Sequence, residues 1–306
     1  MPLHIQTPLV ESRPLGLRLG RQVWLKLDNL QPSGSFKLRG IGHACEASLA
    51  RGARRFVSSS GGNAGLAVAY AGRLLGVPVT VVVPETTTER ARALLQLEGA
   101  EIIVRGASWQ EANDFAQSLL GPADAFLHPF DDPLVWAGHS TLVDELVRAG
   151  ARPDAIVLCV GGGGLLSGVV EGLQRHGWHD IPVIAVETEG AASFHEAVKA
   201  GHTVELDRIA SVATSLGAKR VCEQALRCTQ QHLIHSVVVS DRSALSACER
   251  FLADHRMLVE PACGASLAVA YEDAPELAAY RSLLIVVCGG ATATIDQIRE
   301  WARACA

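Results

Sequence analysis

The sequence predicts an α/β fold built on mostly parallel sheets, and three observations predict it. Short apolar runs alternate with helical patterns through nearly all of the 306 residues, the rhythm of strand–helix–strand units. Several strand-like runs are apolar almost without alternation, Val79-Thr80-Val81-Val82-Val83 and Ala155-Ile156-Val157-Leu158-Cys159 among them, as in strands covered on both faces. No repeat of solenoid period and no low-complexity tract is present, so neither a solenoid nor a disordered chain is indicated.

In chain order, strands are expected at residues 23–27, 55–57, 79–83, 101–104, 125–127, 155–159, 183–187, 237–240 and 283–288. Each is a short apolar run. Helical patterns lie between them, at 66–75, 87–97, 109–119, 134–149, 242–254 and 263–272, and a further helical run opens at Lys37.

The composition narrows the function classes. The length suits one large domain or two smaller ones, and 48% hydrophobic residues suffice for a substantial core. With 19% charged residues and a net charge of −5, nothing basic and contiguous points to nucleic acid. Eight cysteines are scattered through apolar segments, the usage of reduced, buried thiols in a cytosolic protein. His176/His179 and His232/His235 are each three apart. Neither pair has cysteine or carboxylate company at ligand spacing, so they are expected to be ordinary surface or core histidines. The N-terminus has no basic or apolar leader. The apolar run 155–170 is broken by five glycines and is too short to span a bilayer. A soluble, cytoplasmic protein without membrane or nucleic-acid partners is expected.

Three segments carry chemistry. In Gln31-Pro32-Ser33-Gly34-Ser35-Phe36-Lys37-Leu38-Arg39-Gly40 a lysine follows a Pro/Gly/Ser turn and opens a helix. Burial or a nearby cation turns such an amine into a Schiff-base former; a lone lysine beside a turn is ordinarily a surface residue, and two further segments reverse that expectation. Ser58-Ser59-Ser60-Gly61-Gly62-Asn63-Ala64-Gly65 joins a strand to a helix N-terminus, where free N–H groups and the helix dipole attract an anion. Capping alone needs one Ser or Asn, and four are present. Val160-Gly161-Gly162-Gly163-Gly164-Leu165-Leu166-Ser167-Gly168 follows an apolar strand. Four consecutive glycines are entropically costly, and they suit backbone wrapped around a phosphate.

A Schiff-base lysine, a carboxylate-type anion site and a phosphate cup together suggest pyridoxal 5′-phosphate. The chain resembles the second fold type of enzymes using this cofactor, the tryptophan synthase β-subunit group, and within it the catabolic L-serine/L-threonine dehydratases. The resemblance runs over nearly the whole chain. It rests on Pro32-Ser33-Gly34-Ser35-Phe36-Lys37, Ser60-Gly61-Gly62-Asn63-Ala64-Gly65, Pro129-Phe130-Asp131-Asp132-Pro133, residues 161–165, Glu187-Thr188, Val259-Glu260-Pro261-Ala262-Cys263-Gly264 and Cys288-Gly289-Gly290, in that order. One departure is Gly61, where the group usually carries Ala; the missing methyl bears on rate or side-chain preference.

The resemblance implies two three-layer α/β domains with the cofactor in the cleft between them. The large domain would comprise residues 1–38 plus 134–306 and the small domain residues 39–133; no linker in the sequence marks these limits. It implies that Lys37 carries the cofactor as an imine, with Phe36 near its ring. Gly161, Gly162, Gly163, Gly164 and Leu165 would bind its phosphate, Asn63 its 3′-oxygen, and Cys288 would lie beside its ring nitrogen. Ser60, Gly61 and Asn63 would hold the substrate carboxylate and set the Cα–H bond for cleavage. Lys37 would then remove the Cα proton, with the cofactor phosphate assisting loss of the β-hydroxyl. A neutral thiol at 288 is a weak donor, where an aspartate would make the ring a strong electron sink, so elimination is expected over racemisation or transamination. The resemblance further implies a potassium site formed by Glu187 and the carbonyls of Gly161, Ala191, Ser193, Leu216 and Ala218, oxygen ligation that suits a hard cation. It implies a homodimer acting on a small amino acid. The chain ends at Ala306, shortly after Cys288-Gly289-Gly290, so no C-terminal regulatory domain is expected and a degradative role fits better than a feedback-controlled one.

Other readings compete. Strand, glycine cup, helix, strand and Glu187 mimic a dinucleotide-binding unit. However, 161–168 contains no G-x-G-x-x-G, because Leu166 and Ser167 occupy the third-glycine positions. β-Replacement of the cysteine synthase kind and serine racemisation share most of the site residues. A non-catalytic cofactor-binding protein is a third class, disfavoured by the intact Lys37, Ser60, Asn63 and glycine cup.

Overall fold

The computed structural model describes residues 2–305. Its ten strands are β1 (Leu9–Glu11), β2 (Gln22–Lys26), β3 (Arg55–Ser58), β4 (Val79–Val83), β5 (Glu101–Val104), β6 (Asp124–Phe126), β7 (Ala155–Cys159), β8 (Val183–Thr188), β9 (Ile234–Val239) and β10 (Ser282–Val286). They form a six-stranded sheet in the order β1-β2-β10-β7-β8-β9 and a four-stranded sheet in the order β5-β4-β3-β6. The ladders are parallel except for β1 against β2. This is the α/β architecture with mostly parallel sheets that the alternating apolar runs predict. All strands of the smaller sheet fall within residues 55–126.

Each sheet has its own core. Leu25, Val157, Ile184 and Ile285 lie at the centre of the larger one, and Phe56, Val81, Leu66 and Val135 of the smaller. β7 and β8 are buried at every residue, which explains their unalternating sequences. The helix Pro261–Tyr271 is likewise buried along its whole length, so it has no polar face.

Departures from the expected elements have local causes. β1 is a three-residue edge strand, too short to register as an apolar run. β9 starts at Ile234 because it pairs from Val183 onward, although His235 and Ser236 interrupt its apolar pattern. β10 ends at Val286 instead of Cys288, because the chain then leaves the ladder. The Cys288 carbonyl accepts from Phe36 N–H (3.0 Å), and Gly290 N–H donates to the Gly34 carbonyl (2.9 Å). The helices Arg13–Leu19, Ser193–Ala200, Glu223–Gln231 and Ile295–Ala304 also lie outside the expected set. The last of these is announced by a Thr294/Gln297 capping box.

A fully buried ionic cluster ties the N-terminal segment to the helix Lys37–Ala50. Arg39 is 0% exposed; its Nε and Nη2 donate to Asp28 at 2.7 and 2.8 Å, and its Nη1 and Nη2 to Glu145 at 2.6 and 2.9 Å. Lys26 pairs with the same Glu145, and Thr7 Oγ1 donates to Asp28 at 2.7 Å. Two cations therefore balance two carboxylates. Burial pushes the Asp28 carboxyl up, but the Arg39 charge and hydrogen bonds, with Thr7 and Lys26, outweigh it and hold Asp28 below the usual carboxylate range. Removing one member strands its partners as unpaired buried charges. Arg39→Ala is therefore expected to lower the unfolding free energy by about 3–5 kcal/mol in urea titrations. The Asp28 contribution is complete above its unfolded value of about 3.9 and is lost as pH falls through its lower folded value; acid unfolding of Asp28→Asn should lack that component.

Candidate active site

The splice between residues 34–36 and 288–290 delivers Lys37 to the C-terminal end of β10, where ligands of parallel α/β sheets collect. Lys37 is the first residue of the helix Lys37–Ala50. Its Nζ donates to the Pro129 carbonyl at 2.6 Å and lies 5.2 Å from the Phe36 ring centroid. Desolvation pushes the amine down to about 8, with Glu260 among the groups acting against it. Such an amine has an appreciable neutral, nucleophilic fraction near neutral pH. The other three lysines differ: Lys26 is locked in the ionic cluster, and Lys199 and Lys219 are exposed.

The turn after β3 opens the helix Asn63–Leu75 without a side-chain cap. Its free N–H end is thus available to an anion. Gly62 N–H donates to Ser60 Oγ at 3.4 Å. A methyl group at Gly61 would meet Thr87 Cγ2 at 2.8 Å and Val83 Cγ1 at 3.2 Å, so the departure from Ala goes with crowding by these two side chains. Asn63 is buried; its Nδ2 donates to Glu260 Oε1 at 2.7 Å and approaches Ser215 Oγ at 3.4 Å. Its Oδ1 accepts from Ala291 N–H at 3.1 Å.

The glycine cup follows β7 and opens the helix Gly164–Arg175, again with no side-chain cap. Gly163 has φ +92°, which glycine adopts without strain. The glycines are also crowded from outside. A Cβ at Gly162 would collide with the Phe130 ring, one at Gly163 with Ala225, and one at Gly161 would lie 3.0 Å from the Ser215 carbonyl. Close packing thus accounts for part of the glycine run, beyond any anion it wraps. Leu165 is buried on the first turn of that helix.

Cys288 is buried with its Sγ 3.3 Å from Cys159 Sγ. Hydrogen bonding with Cys159 and Cys263, followed by burial, pushes its thiol well above the ordinary value, so it stays neutral. Behind Phe36 lies the fully buried His139, ring centroids 5.0 Å apart, with both ring nitrogens unpartnered. Burial holds it well below the ordinary histidine value.

Glu187 lies on β8, beside the cup, because Val160 N–H bonds the Val186 carbonyl at 2.8 Å. Its carboxylate accepts from Phe194 N–H (2.9 Å) and His195 N–H (2.7 Å) at the start of the helix Ser193–Ala200. Burial pushes it up to about 8, against those two bonds. Ser193 Oγ is buried without a partner, and Gly161 packs on Leu216. Ala191 N–H donates to the Thr188 carbonyl (3.0 Å) and Ala218 N–H to the Leu216 carbonyl (2.8 Å). Among the described residues no three or more His, Cys, Asp or Glu side chains are grouped to hold a metal. Of the histidine pairs, His232 bonds the Ile181 carbonyl at 2.6 Å, His176 bonds Asp144 at 2.6 Å and His235 bonds Tyr280 at 3.1 Å.

Contacts through Pro129, Phe130, Ser215 and Ala291 thus link Lys37, Phe36, the 60–63 turn, the cup and Cys288 into one cluster. Residue-by-residue reasoning gave no role to Glu260, the Pro129 carbonyl, Cys159 or His139. For Glu260 a signal existed: a lone carboxylate inside the apolar stretch Met257-Leu258-Val259-Glu260-Pro261-Ala262-Cys263, where acids are rarely buried unless paired.

The model of the pyridoxal-phosphate dependent enzyme family matches residues 1–289, and the chain belongs to that family. Over 309 residues it is 48% identical to the L-serine dehydratase/L-threonine deaminase of Homo sapiens, covering 97% of this chain and 94% of that protein. It is 51% identical to a serine dehydratase-like protein of the same organism over 304 residues, covering 94% and 91%. Its fold superposes on a fungal L-serine ammonia-lyase from Rhizomucor miehei with TM-score 0.94 at 38% identity, covering 99% of both chains. Among the described residues no helix is long and apolar enough to cross a membrane.

The residues fit the family's cofactor: a desolvated lysine, two uncapped helix N-termini and a neutral buried thiol belong to this one cluster. The buried, unpartnered Ser33 and Ser35 hydroxyls flank the lysine turn. In cofactor-free protein, the rate of reductive methylation at Lys37 should rise through about pH 8. A midpoint near the ordinary lysine value of about 10.4 would show that the amine is not desolvated.

Proposed function

We propose that the protein is a pyridoxal-phosphate dependent ammonia-lyase that converts L-serine to pyruvate and ammonia, and L-threonine to 2-oxobutyrate and ammonia. The carrying observation is the clustering of Lys37, the 60–63 turn, the glycine cup and a neutral Cys288, in a chain 48% identical to a serine dehydratase/threonine deaminase over 97% of its length. The division into a small domain, 39–133, and a large domain of 1–38 plus 134–306 belongs to this reading; the four-stranded sheet supports it by lying within 55–126. A cytoplasmic homodimer acting on free amino acids completes it.

Lys37 would hold the cofactor covalently, Phe36 would pack by its ring, and Asn63 would bond its 3′-oxygen. The N–H groups of Gly161, Gly162, Gly163, Gly164 and Leu165 would hold its phosphate, and Cys288 would face its ring nitrogen. When bound, the cofactor withdraws electrons from the substrate Cα. Ser60, Gly61 and Asn63 hold the substrate carboxylate and orient the Cα–H bond. The Lys37 amine, already depressed to about 8, accepts the Cα proton at Nζ. The neutral Cys288 thiol donates weakly, which keeps electron withdrawal modest and favours loss of the β-hydroxyl over reprotonation of Cα.

Glu187, with the carbonyls of Gly161, Ala191, Ser193, Leu216 and Ala218, would bind a monovalent cation, potassium by its all-oxygen ligation. A carboxylate pushed up to about 8 by burial and a partnerless Ser193 hydroxyl beside it support this.

Two measurements test the reading. Purified, cofactor-loaded protein should release pyruvate from L-serine and 2-oxobutyrate from L-threonine, and Lys37→Ala should abolish both. Racemised serine without keto acid would replace the lyase assignment by a racemase. For the cation, exchange of potassium for lithium should lower activity, and potassium affinity should strengthen as pH rises through about 8, because binding favours the ionised Glu187. Equal activity in both salts would remove the cation from the scheme.

A further inference from the structure

We propose that Glu260 is a positioning residue of this active site, fixing the orientation of the Asn63 amide. The inference rests on the reading above that Asn63 contacts cofactor and substrate.

Glu260 precedes the helix Pro261–Tyr271, where an acid ordinarily accepts from the first helical N–H groups. Its carboxylate makes no such bond. It turns instead toward Asn63 and Thr292, only 4% exposed. Oε1 accepts from Asn63 Nδ2 at 2.7 Å and Oε2 from Thr292 Oγ1 at 3.0 Å. The opposite end of the same amide, Asn63 Oδ1, accepts from Ala291 N–H at 3.1 Å.

These contacts assign the amide orientation chemically. The Ala291 N–H requires an acceptor and the Glu260 carboxylate a donor, so the oxygen faces 291 and the nitrogen faces 260. A flipped amide would set its oxygen against the carboxylate and its NH2 against an N–H. An amide nitrogen carries two hydrogens. One is held by Glu260, and the other has only the 3.4 Å contact to Ser215 Oγ, which leaves it for a ligand oxygen.

The backbone makes room for this arrangement. Gly290 adopts φ +127°, and a Cβ there would overlap the Glu260 carboxyl. The contacts also join the two halves of the molecule: Asn63 opens a helix between β3 and β4, whereas Glu260 and residues 290–292 flank β10.

Kinetics and cofactor absorbance of the holoenzyme test the role. Glu260→Ala should lower kcat/KM by about 10- to 100-fold, the effect of losing a hydrogen bond to a charged group, and should shift the absorbance of the bound cofactor. Glu260→Gln still offers an oxygen to Asn63 Nδ2 and should restore most of both. In Glu260→Ala/Asn63→Ala the defects should not multiply; the double variant should match the worse single one. If Glu260→Ala does not fold, Glu260→Met, which fills the space without accepting a bond, replaces it with the same expectation. Wild-type kinetics and spectrum in Asn63→Ala would defeat the placement of Asn63 itself. An impaired Asn63→Ala beside an unimpaired Glu260 variant, or multiplying defects, would overturn the positioning role alone.

Discussion

The placement of Lys37 depends on a short antiparallel splice. Two backbone hydrogen bonds, Phe36 N–H to the Cys288 carbonyl and Gly290 N–H to the Gly34 carbonyl, fasten the turn before Lys37 onto the chain leaving β10. A third, from Asn29 N–H to the Val287 carbonyl (2.8 Å), extends the same seam. Gly34 and Gly289 have φ +82° and +88°, a region other residues rarely occupy. The seam brings the turn before Lys37 against residues 288–290, although the two are far apart in sequence. Two residues beyond Lys37, Arg39 anchors the same helix in the buried ionic cluster, so the lysine is held from both directions.

Desolvation then sets the chemistry. It lowers the Lys37 amine and contributes to keeping Cys288 neutral, the states that the proposed base and the proposed weak donor require. It also raises Glu187, a carboxylate with two backbone donors and no positive partner. Among the described residues, the buried charges that balance in full are Asp28, Glu145, Lys26 and Arg39, where pairing is complete. The contrast separates a paired ionic cluster from buried groups whose shifts are set by desolvation, the kind of group that marks a candidate functional site.

Much of this was legible in the sequence because the signals were local. The apolar runs of β4, β7 and β8 gave strand positions directly, and the Lys37, Ser60–Asn63 and four-glycine segments each carried turn chemistry. What escaped was non-local or short. β1 spans three residues, and β10 ends early because its partner becomes the 34–36 turn. The contacts of Glu260 with Asn63 and of the Pro129 carbonyl with Lys37 arise only when distant segments meet. The glycine cup was legible as an unusual backbone, but not the crowding by Phe130 and Ala225 that also demands it.

The central claim, that Lys37 is the residue bonded to the cofactor, is open to one direct measurement. Cofactor-loaded protein is reduced with borohydride, digested, and the tagged peptide mapped by mass spectrometry. The chain has four lysines, at 26, 37, 199 and 219, so the result is unambiguous. The account predicts a single tag on Lys37. A tag on Lys26, Lys199 or Lys219, or none, would contradict it.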